Sequence, residues 1–303
     1  MDVKTKSDTV PDIDNDAADV SPAASDEPKE ESLLSFGFFL LKLAVLVLIF
    51  RSFVFSPFSI PSESMLPKLW NGDYLLAAKW PYGYSKYSLP FSAPVIPGRV
   101  FAGEPEAGDI VIFKHPIDQT DYIKRVIALP GDSIGMVGGQ ILLNGELVPK
   151  QKIEDFVQPV DELMLEAQAD LKARGYPAES PCADLAFEEV SEEGVRQCRY
   201  PRYRETLPNG ISFEVLDFGF EPADNVSATI VPEGRIFVMG DNRDNSQDSR
   251  FPAMAGRGVG LVPQENLVGR ASIIMWSTDG GSEWIKPWTW FTAARWNRLG
   301  DSL

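Results

Sequence analysis

The longest apolar stretch of the chain lies near its beginning, at residues 33–50. It contains a single charged residue, Lys42, and Arg51 follows it directly. Its length is close to the ~20 residues that a helix needs to cross a bilayer. A cleavable leader would have a shorter apolar region and an A-x-A-like site after it, and no such site follows. The pattern predicts one uncleaved transmembrane helix at 33–55, with a buried core helix as the alternative because Lys42 lies in mid-span.

Beyond residue 56 the apolar positions form short β-prone runs bounded by glycine, proline or aspartate. Asn144-Gly145 separates two further apolar runs and predicts a β-hairpin. One helix-like stretch, 162–174, ends at a glycine and a proline. We therefore predict a mainly β fold, a twisted antiparallel β-sheet domain over 56–303, with an inserted subdomain at about 151–225. The clearest strand candidates are 109–113, 122–129, 235–239 and 268–276.

The charge of the chain is strongly acidic, with a formal net charge of -16. Nucleic acid is therefore not an expected partner, because phosphate binding needs a basic surface. Residues 1–32 hold ten of the acidic residues against three lysines and no aromatic residue. Such a segment cannot bury enough apolar surface to offset its ordering entropy, so we predict a disordered tail. The positive-inside rule gives no clear membrane orientation, since Arg51 follows the apolar stretch and the tail is acidic.

The chain has two cysteines, Cys182 and Cys198, both within the predicted inserted subdomain. Neither belongs to a C-x-x-C motif, which argues against zinc or dithiol redox chemistry. They are either buried thiols in a reducing compartment or one disulfide outside it. The sequence pattern leaves both options open.

Histidine chemistry is poorly supported, because His115 is the only histidine. Residues 131–135 match the G-x-S-x-G pattern of a nucleophile elbow, which requires a histidine later in the chain. His115 precedes the match, and Pro130 lies directly before it between two β-like runs. We interpret 131–135 as a turn and His115 as a loop residue, so lysine becomes the natural base. A single histidine also cannot make a metal cluster of the usual kind, and we predict no metal.

Ser62 and Ser64 form a candidate nucleophile segment between Pro61 and Pro67. In an extended stretch the two serines would point the same way, and the prolines would stiffen the turn. The alternative is a proline- and serine-rich linker after the membrane span. Lys124 is the candidate base, because it lies between apolar residues of a predicted strand, where burial would lower its pKa. Its alternative is a lysine on the solvated face of an edge strand.

The polar segment 240–250 follows an apolar run and suggests a calcium loop at first sight. Ser246 occupies the position at which an EF-hand has glycine, so that pattern fails. A hydrogen-bonded loop that supports a site is the better interpretation.

The chain contains, in this order, four motif segments: 62–65, 108–113, 122–125 with 129–132, and 240–246 with 248–250. They resemble the successive boxes of bacterial signal peptidase I. The resemblance spans roughly residues 36–298, and the last segment is the longest and most specific. Glu63 departs from the family pattern, which has a small residue, commonly glycine, between the two serines.

The resemblance implies a Ser-Lys peptidase that cleaves preproteins after an A-x-A-like site. Ser64 would attack the scissile carbonyl, Lys124 would be the general base, and Ser62 with the Ser64 N–H would form the oxyanion hole. Ser246 would orient Lys124 through a hydrogen bond, while Asp248 and Arg250 would pair to hold the loop. No cofactor is implied.

The family also implies a location in the bacterial inner membrane. The tail at 1–32 would be cytoplasmic, 56–303 would be periplasmic, and Cys182 and Cys198 would form a disulfide. Signal peptides, membrane lipid and nearby translocation machinery are the expected partners. Because only about 14 residues separate Phe50 from Ser64, we expect the site near the membrane face. The alternatives are a self-cleaving Ser-Lys protease of the repressor type and a membrane-tethered β-domain that binds other proteins.

Overall fold

The computed structural model describes residues 33–283 and 285–303. The acidic tail predicted at 1–32 lies outside these described residues. The fold is mainly β, as the sequence predicts. The strands are β1 (Phe55–Ser59), β2 (Asp73–Ala78), β3 (Tyr84–Ser85), β4 (Arg99–Val100), β5 (Ile110–Lys114), β6 (Asp121–Ala128), β7 (Ser133–Val137), β8 (Gln140–Leu143), β9 (Glu146–Leu147), β10 (Lys150–Lys152), β11 (Phe156–Pro159), β12 (Glu188–Val190), β13 (Arg196–Tyr200), β14 (Arg202–Thr206), β15 (Ser212–Leu216), β16 (Val226–Ile230), β17 (Arg235–Met239), β18 (Val262–Pro263) and β19 (Leu267–Ser277). The α-helices are α1 (Leu33–Phe53), α2 (Glu162–Ala173) and α3 (Thr289–Thr292).

Helix α1 contains the apolar stretch at the start of the described chain. It has 21 residues, and an 18-residue window of it has a mean hydropathy of 2.6, which makes it long and apolar enough to cross a membrane. It ends two residues before the predicted boundary, because Phe55 already pairs with Ala78 in the first strand pair. Residues 44–303 form one compact unit, to which the first part of α1 does not belong.

The main sheet has seven strands in the order β1-β2-β19-β5-β6-β17-β18. Every neighbouring pair in it is antiparallel. Strand β6 lies between β5 and β17, so it is an interior strand and not an edge. Apolar side chains of the sheet pack on both of its faces, where they form two separate core clusters around Leu75 and Val126. Both faces are therefore buried at the centre of the sheet.

A second sheet has the strand order β16-β7-β8-β9. The hairpin predicted at Asn144-Gly145 is confirmed, since Leu143 pairs with Glu146 across this turn. Both turn residues have positive φ, 53° and 86°, which is why asparagine and glycine occupy them. The interpretation of 131–135 as a turn is only partly right, because the turn ends before Ser133 and residues 133–135 belong to β7.

Residues 150–216 form a further layer of the fold. Two three-stranded sheets, β10-β14-β15 and β11-β13-β12, lie here with α2, which matches the predicted helix. Cys182 and Cys198 are joined by a disulfide and pack in a cluster with Phe156 and Tyr200. Among the described strands, none of these six joins the seven-stranded sheet.

A buried ion pair connects this layer to the polar segment 240–250. Both Nη atoms of Arg243 donate to the carboxylate of Glu205 on β14, at 2.9 and 2.5 Å. The two side chains are only 2% and 1% exposed. A pair without access to water holds its geometry, because either charge alone would be strongly destabilising there.

We expect Glu205→Gln to lower the free energy of unfolding by about 3 kcal/mol, since it leaves the Arg243 guanidinium buried without a counter-charge. Chemical denaturation of the full-length protein in detergent would measure the change. Asp170→Asn is the matched control, because it removes an exposed pair with Arg174 and should cost less than about 0.5 kcal/mol. Equal effects of the two variants would contradict this role of Glu205.

Candidate active site

Ser64 lies in the loop that connects β1 to β2. The loop is anchored by Met65, Leu66 and Leu69, whose side chains are fully buried. Ser64 is itself nearly buried, whereas Ser62 is exposed. The two hydroxyl oxygens are 3.4 Å apart, so the two side chains point to the same side of the loop. Within the described chain the Ser64 N–H donates no hydrogen bond.

Lys124 on β6 faces this loop and donates a hydrogen bond from Nζ to Ser64 Oγ at 2.7 Å. A second hydrogen bond, of 3.0 Å, goes to the carbonyl oxygen of Ile123. The side chain is buried, with 3% exposure. Burial lowers the pKa of Lys124 to about 8, and Arg250 adds to the effect, while Asp248 and Asp241 oppose it. Much of the amine is therefore neutral in mildly alkaline solution.

The position of β6 explains why this lysine is buried. Lys124 pairs with Val111 on β5, and the next residue, Arg125, pairs with Met239 on β17. A solvated edge strand is thereby excluded. The ring of Tyr122, two residues earlier on the strand, lies 5.8 Å from Lys124 Nζ. Neighbouring strands and this ring keep water from the amine.

The segment 240–250 closes over the loop of Ser64. Asn242 donates from its backbone N–H to the Ser64 carbonyl at 3.1 Å and from Nδ2 to the Glu63 carbonyl at 3.2 Å. Gly240 permits this approach: a Cβ at that position would lie 2.5 Å from the Ser64 carbonyl oxygen and 2.3 Å from Ser246 Oγ. Only glycine fits there, because contacts so short require the backbone to move.

Asp248 and Arg250 form a buried pair within the same segment. Arg250 donates from Nε and Nη2 to the two carboxylate oxygens at 2.8 and 2.9 Å, and the Gly240 N–H donates at 3.1 Å. Burial alone would raise the pKa of Asp248, but the charge and hydrogen bonds of Arg250 outweigh it and hold the pKa below its usual value. Asp248 is therefore ionised throughout the neutral range.

Ser246 does not make the contact with Lys124 that its expected role requires. Its Oγ is buried without a well-formed hydrogen bond among the described residues, so the hydrogen bond to Lys124 implied by the family resemblance is not present. The hydroxyl still lies close enough to Asp248 to help lower the pKa of that carboxyl. In this structure the contacts of Lys124 come from Ser64, the Ile123 carbonyl and the ring of Tyr122.

Two further residues support the site and were not singled out from the sequence. Arg125, next to Lys124 on β6, donates from Nε and Nη2 to both carboxylate oxygens of Asp241 at 2.8 and 2.6 Å. Its Nη1 donates to the Gly108 carbonyl at 2.8 Å. This pair fixes the start of segment 240–250 against β6. The sequence could have indicated both residues, because Arg125 lies inside the family segment 122–125 and Asp241 lies inside 240–246.

A groove of about 1160 Å³ opens at Ser62 and Ser64. The loop that carries the two serines forms one part of its lining. Helix α2, residues 177–187 with Cys182, residues 218–221 and residues 244–245 supply the rest. A volume of this size can hold several residues of an extended polypeptide beside the serine hydroxyls.

His115 takes part in a different region of the fold. Its ring is fully buried, one ring nitrogen faces the Gly258 carbonyl at 3.2 Å, and the other accepts from the N–H of Ile117 at 3.2 Å. Both nitrogens are therefore occupied by the backbone of two loops. His115 makes no hydrogen bond with Ser64 or Lys124 in the described part of the chain, and it organises the loop after β5.

Comparison with known proteins identifies the family. The family model described as signal peptidase, peptidase S26, matches residues 33–276. Signal peptidase I of Rickettsia typhi is 35% identical over 243 residues, which are 77% of this chain and 76% of the relative. For the Rickettsia prowazekii protein of the same name the identity is 34%, covering 80% of each chain. For that of Rickettsia felis it is 33%, covering 85% of this chain and 88% of the relative. The chain therefore belongs to the signal peptidase family, peptidase S26, and is an enzyme that hydrolyses peptide bonds.

Proposed function

We propose that this enzyme removes signal peptides from translocated preproteins by a Ser-Lys dyad mechanism, with Ser64 as nucleophile and Lys124 as general base. Family membership supports signal peptide removal by a serine peptidase. The observation that carries the assignment of the dyad is the 2.7 Å hydrogen bond between a buried lysine amine and the Ser64 hydroxyl.

In the proposed mechanism, neutral Lys124 takes the proton of Ser64 as the hydroxyl oxygen attacks the scissile carbonyl. The oxyanion receives hydrogen bonds from the Ser64 N–H and the Ser62 hydroxyl, both of which are available for it. The Lys124 ammonium then protonates the leaving amine, and an acyl-enzyme ester on Ser64 remains. Water, deprotonated by Lys124, hydrolyses the ester and restores the serine.

In this proposal the pairs Asp248–Arg250 and Arg125–Asp241 hold the site residues in position. They fix segment 240–250, whose Asn242 binds the backbone of the Ser64 loop. Asp248 and Asp241 favour the charged lysine and raise its pKa, whereas Arg250 lowers it. The Ser246 side chain lies against Gly240, as does the Ser64 carbonyl.

The cleavage specificity and the cellular location are parts of the same proposal. We expect cleavage after small residues in an A-x-A-like site. The family and the one apolar helix α1 are consistent with a single-pass membrane protein. We further propose the bacterial inner membrane, with residues 56–303 on the periplasmic face, where signal peptides, membrane lipid and the translocation machinery are the partners.

We expect Ser64→Ala to reduce the cleavage rate of an A-x-A peptide on the order of 10⁴-fold or more while leaving thermal unfolding nearly unchanged. Ser62→Ala should be milder, with a loss of about 10²-fold, because it removes one oxyanion donor and not the attacking atom. Rates on a fluorogenic peptide and a melting curve would measure both. Wild-type turnover by Ser64→Ala would assign the nucleophile elsewhere.

Lys124→Arg should be as inactive as Lys124→Ala, because arginine keeps its proton at any working pH. For the wild type, kcat/KM should rise with pH up to about 8, since the neutral amine is the active form and burial lowers the pKa to about that value. His115→Ala, if folded, should retain nearly normal kcat/KM. An active Lys124→Arg enzyme would refute the dyad.

Protein purified from its native membrane and unfolded without reductant should contain no thiol that reacts with a maleimide. Cys182 and Cys198 are joined and lie 16 positions apart, so reduction should destabilise the fold by about 3 kcal/mol in the chain-entropy model. Two labelled thiols would contradict both the disulfide in the cell and the periplasmic placement.

A further inference from the structure

The groove beside the nucleophile has an unusual charge pattern. Every ionisable side chain among its lining residues is acidic, and the described residues contribute no lysine, arginine or histidine to it. The groove also includes Ser62 and Ser64, so any polypeptide cleaved at Ser64 must pass its mouth. The acidic side chains are those of Glu63, Glu179, Asp184, Glu221 and Asp244.

Glu63 is the acidic residue that adjoins the nucleophile. It lies between Ser62 and Ser64, and its side chain is partly buried. Its backbone is fixed, because the carbonyl accepts hydrogen bonds from Asn242 Nδ2 at 3.2 Å and from the Leu66 N–H at 3.1 Å. Across the described residues its carboxyl group has neither a hydrogen-bond donor nor a cationic partner. The group therefore faces the groove with its charge uncompensated.

The surroundings of Glu63 disfavour its ionised form and supply no positive charge to balance it. Burial raises the pKa of Glu63 to about 7, and the nearby carboxylate of Asp161, at the start of α2, raises it further. Asp161 is bound by Arg295, so that cation is already paired. The phenol of Tyr200 on β13 also interacts with Glu63, and it adds no positive charge. A cation brought in by a ligand would offset the repulsion.

The chemistry of the substrate indicates which part of it meets this groove. Before the scissile bond, a preprotein presents small residues and, further upstream, an apolar segment. The groove has apolar lining residues such as Leu171 and Phe187 that either could contact, but neither brings a positive charge to its carboxyl groups. After the bond lies the polar start of the mature chain, and hydrolysis turns its first nitrogen into an amine with a pKa of about 8, largely an ammonium at neutral pH.

We propose that the groove receives the residues that follow the scissile bond, and that Glu63 selects cationic over anionic side chains among them. This inference rests on the proposed function. Charge complementarity carries it, since an acidic substrate side chain in the groove would lie near Glu63 with no cation among the described lining residues to receive it. The predicted inserted subdomain thereby contributes to substrate choice, because α2 and residues 177–187 form much of the groove.

The test uses the full-length enzyme in detergent and two sets of fluorogenic peptides. In the first set, Lys, Gln or Glu occupies the second position after the cleaved bond of an otherwise constant A-x-A peptide. In the second set, the same three residues occupy the x position before the bond. The wild type, Glu63→Gln and the control Glu193→Gln are compared. Glu193 is exposed in the turn between β12 and β13 and lies outside the groove lining. Both variants replace a glutamate by glutamine, but only Glu63→Gln does so in the groove.

In the first set we expect the wild type to cleave the Lys peptide with a kcat/KM about tenfold above that of the Glu peptide. A tenfold preference is larger than an exposed ion pair usually gives and smaller than a hydrogen bond to a charged group usually gives. Glu63→Gln should lower it to roughly two- to threefold, which the other carboxyl groups maintain. Glu193→Gln should leave the ratio as in the wild type.

The ratio should also depend on pH. Between pH 6 and 8 the wild-type ratio should rise, because Glu63 ionises near pH 7 while the side chains of the two peptides stay charged. Protonation of Lys124 affects both peptides equally and cancels in the ratio. In Glu63→Gln the rise should be much smaller, with a remainder from Asp244, whose pKa burial raises to about 6.

Two results would overturn the inference while leaving the proposed function intact: a wild-type ratio near one, or the same ratio in Glu63→Gln. A charge preference confined to the second set would overturn the assignment of the groove to the residues after the bond. Failure of the wild type to cleave every peptide would instead contradict the proposed function, and the inference with it.

Discussion

A lysine amine held away from water at hydrogen-bonding distance from a serine hydroxyl is the constraint on which the site depends. An exposed lysine would be almost fully protonated at neutral pH and could not accept the serine proton. Strand β6 removes Lys124 from water because it is an interior strand, and the amine donates to Ser64 Oγ at 2.7 Å. In the proposed mechanism the serine proton moves across this contact to the neutral amine. The loop of Ser64 and segment 240–250 must therefore both be fixed against one strand.

Three arginine–carboxylate pairs fix segment 240–250: Arg125–Asp241, Glu205–Arg243 and Asp248–Arg250. All six side chains are at most 7% exposed. Buried pairs of this kind add little net stability, because desolvation offsets most of their attraction, but losing one partner is costly. Their effect is to make one conformation of the segment much lower in free energy than its alternatives. The same segment supplies Asn242, which binds the backbone of residues 63 and 64.

The layer built from residues 150–216 contributes to the site in two ways. It stabilises segment 240–250 through Glu205 and provides much of the wall of the acidic groove. The disulfide closes the wall beside α2, since Cys182 lines the groove and Cys198 lies on β13. Support of the proposed catalytic groups and shaping of the proposed substrate path thus come from one region.

The sequence alone determined the elements whose patterns are local. The apolar helix, the hairpin at Asn144-Gly145, helix α2 and the strands around Lys124 follow from hydrophobic period, turn residues and length. Family segments also identified Ser62, Ser64, Lys124, Asp248 and Arg250, because motif order is a property of the chain. Only the tertiary structure decided that β6 is an interior strand, that Arg125 pairs with Asp241, and that Ser246 lacks a hydrogen bond to Lys124. It also placed Glu63 without a cation in an acidic groove. Burial, charge pairing and pKa arise from contacts between segments distant in sequence, and no local pattern encodes them.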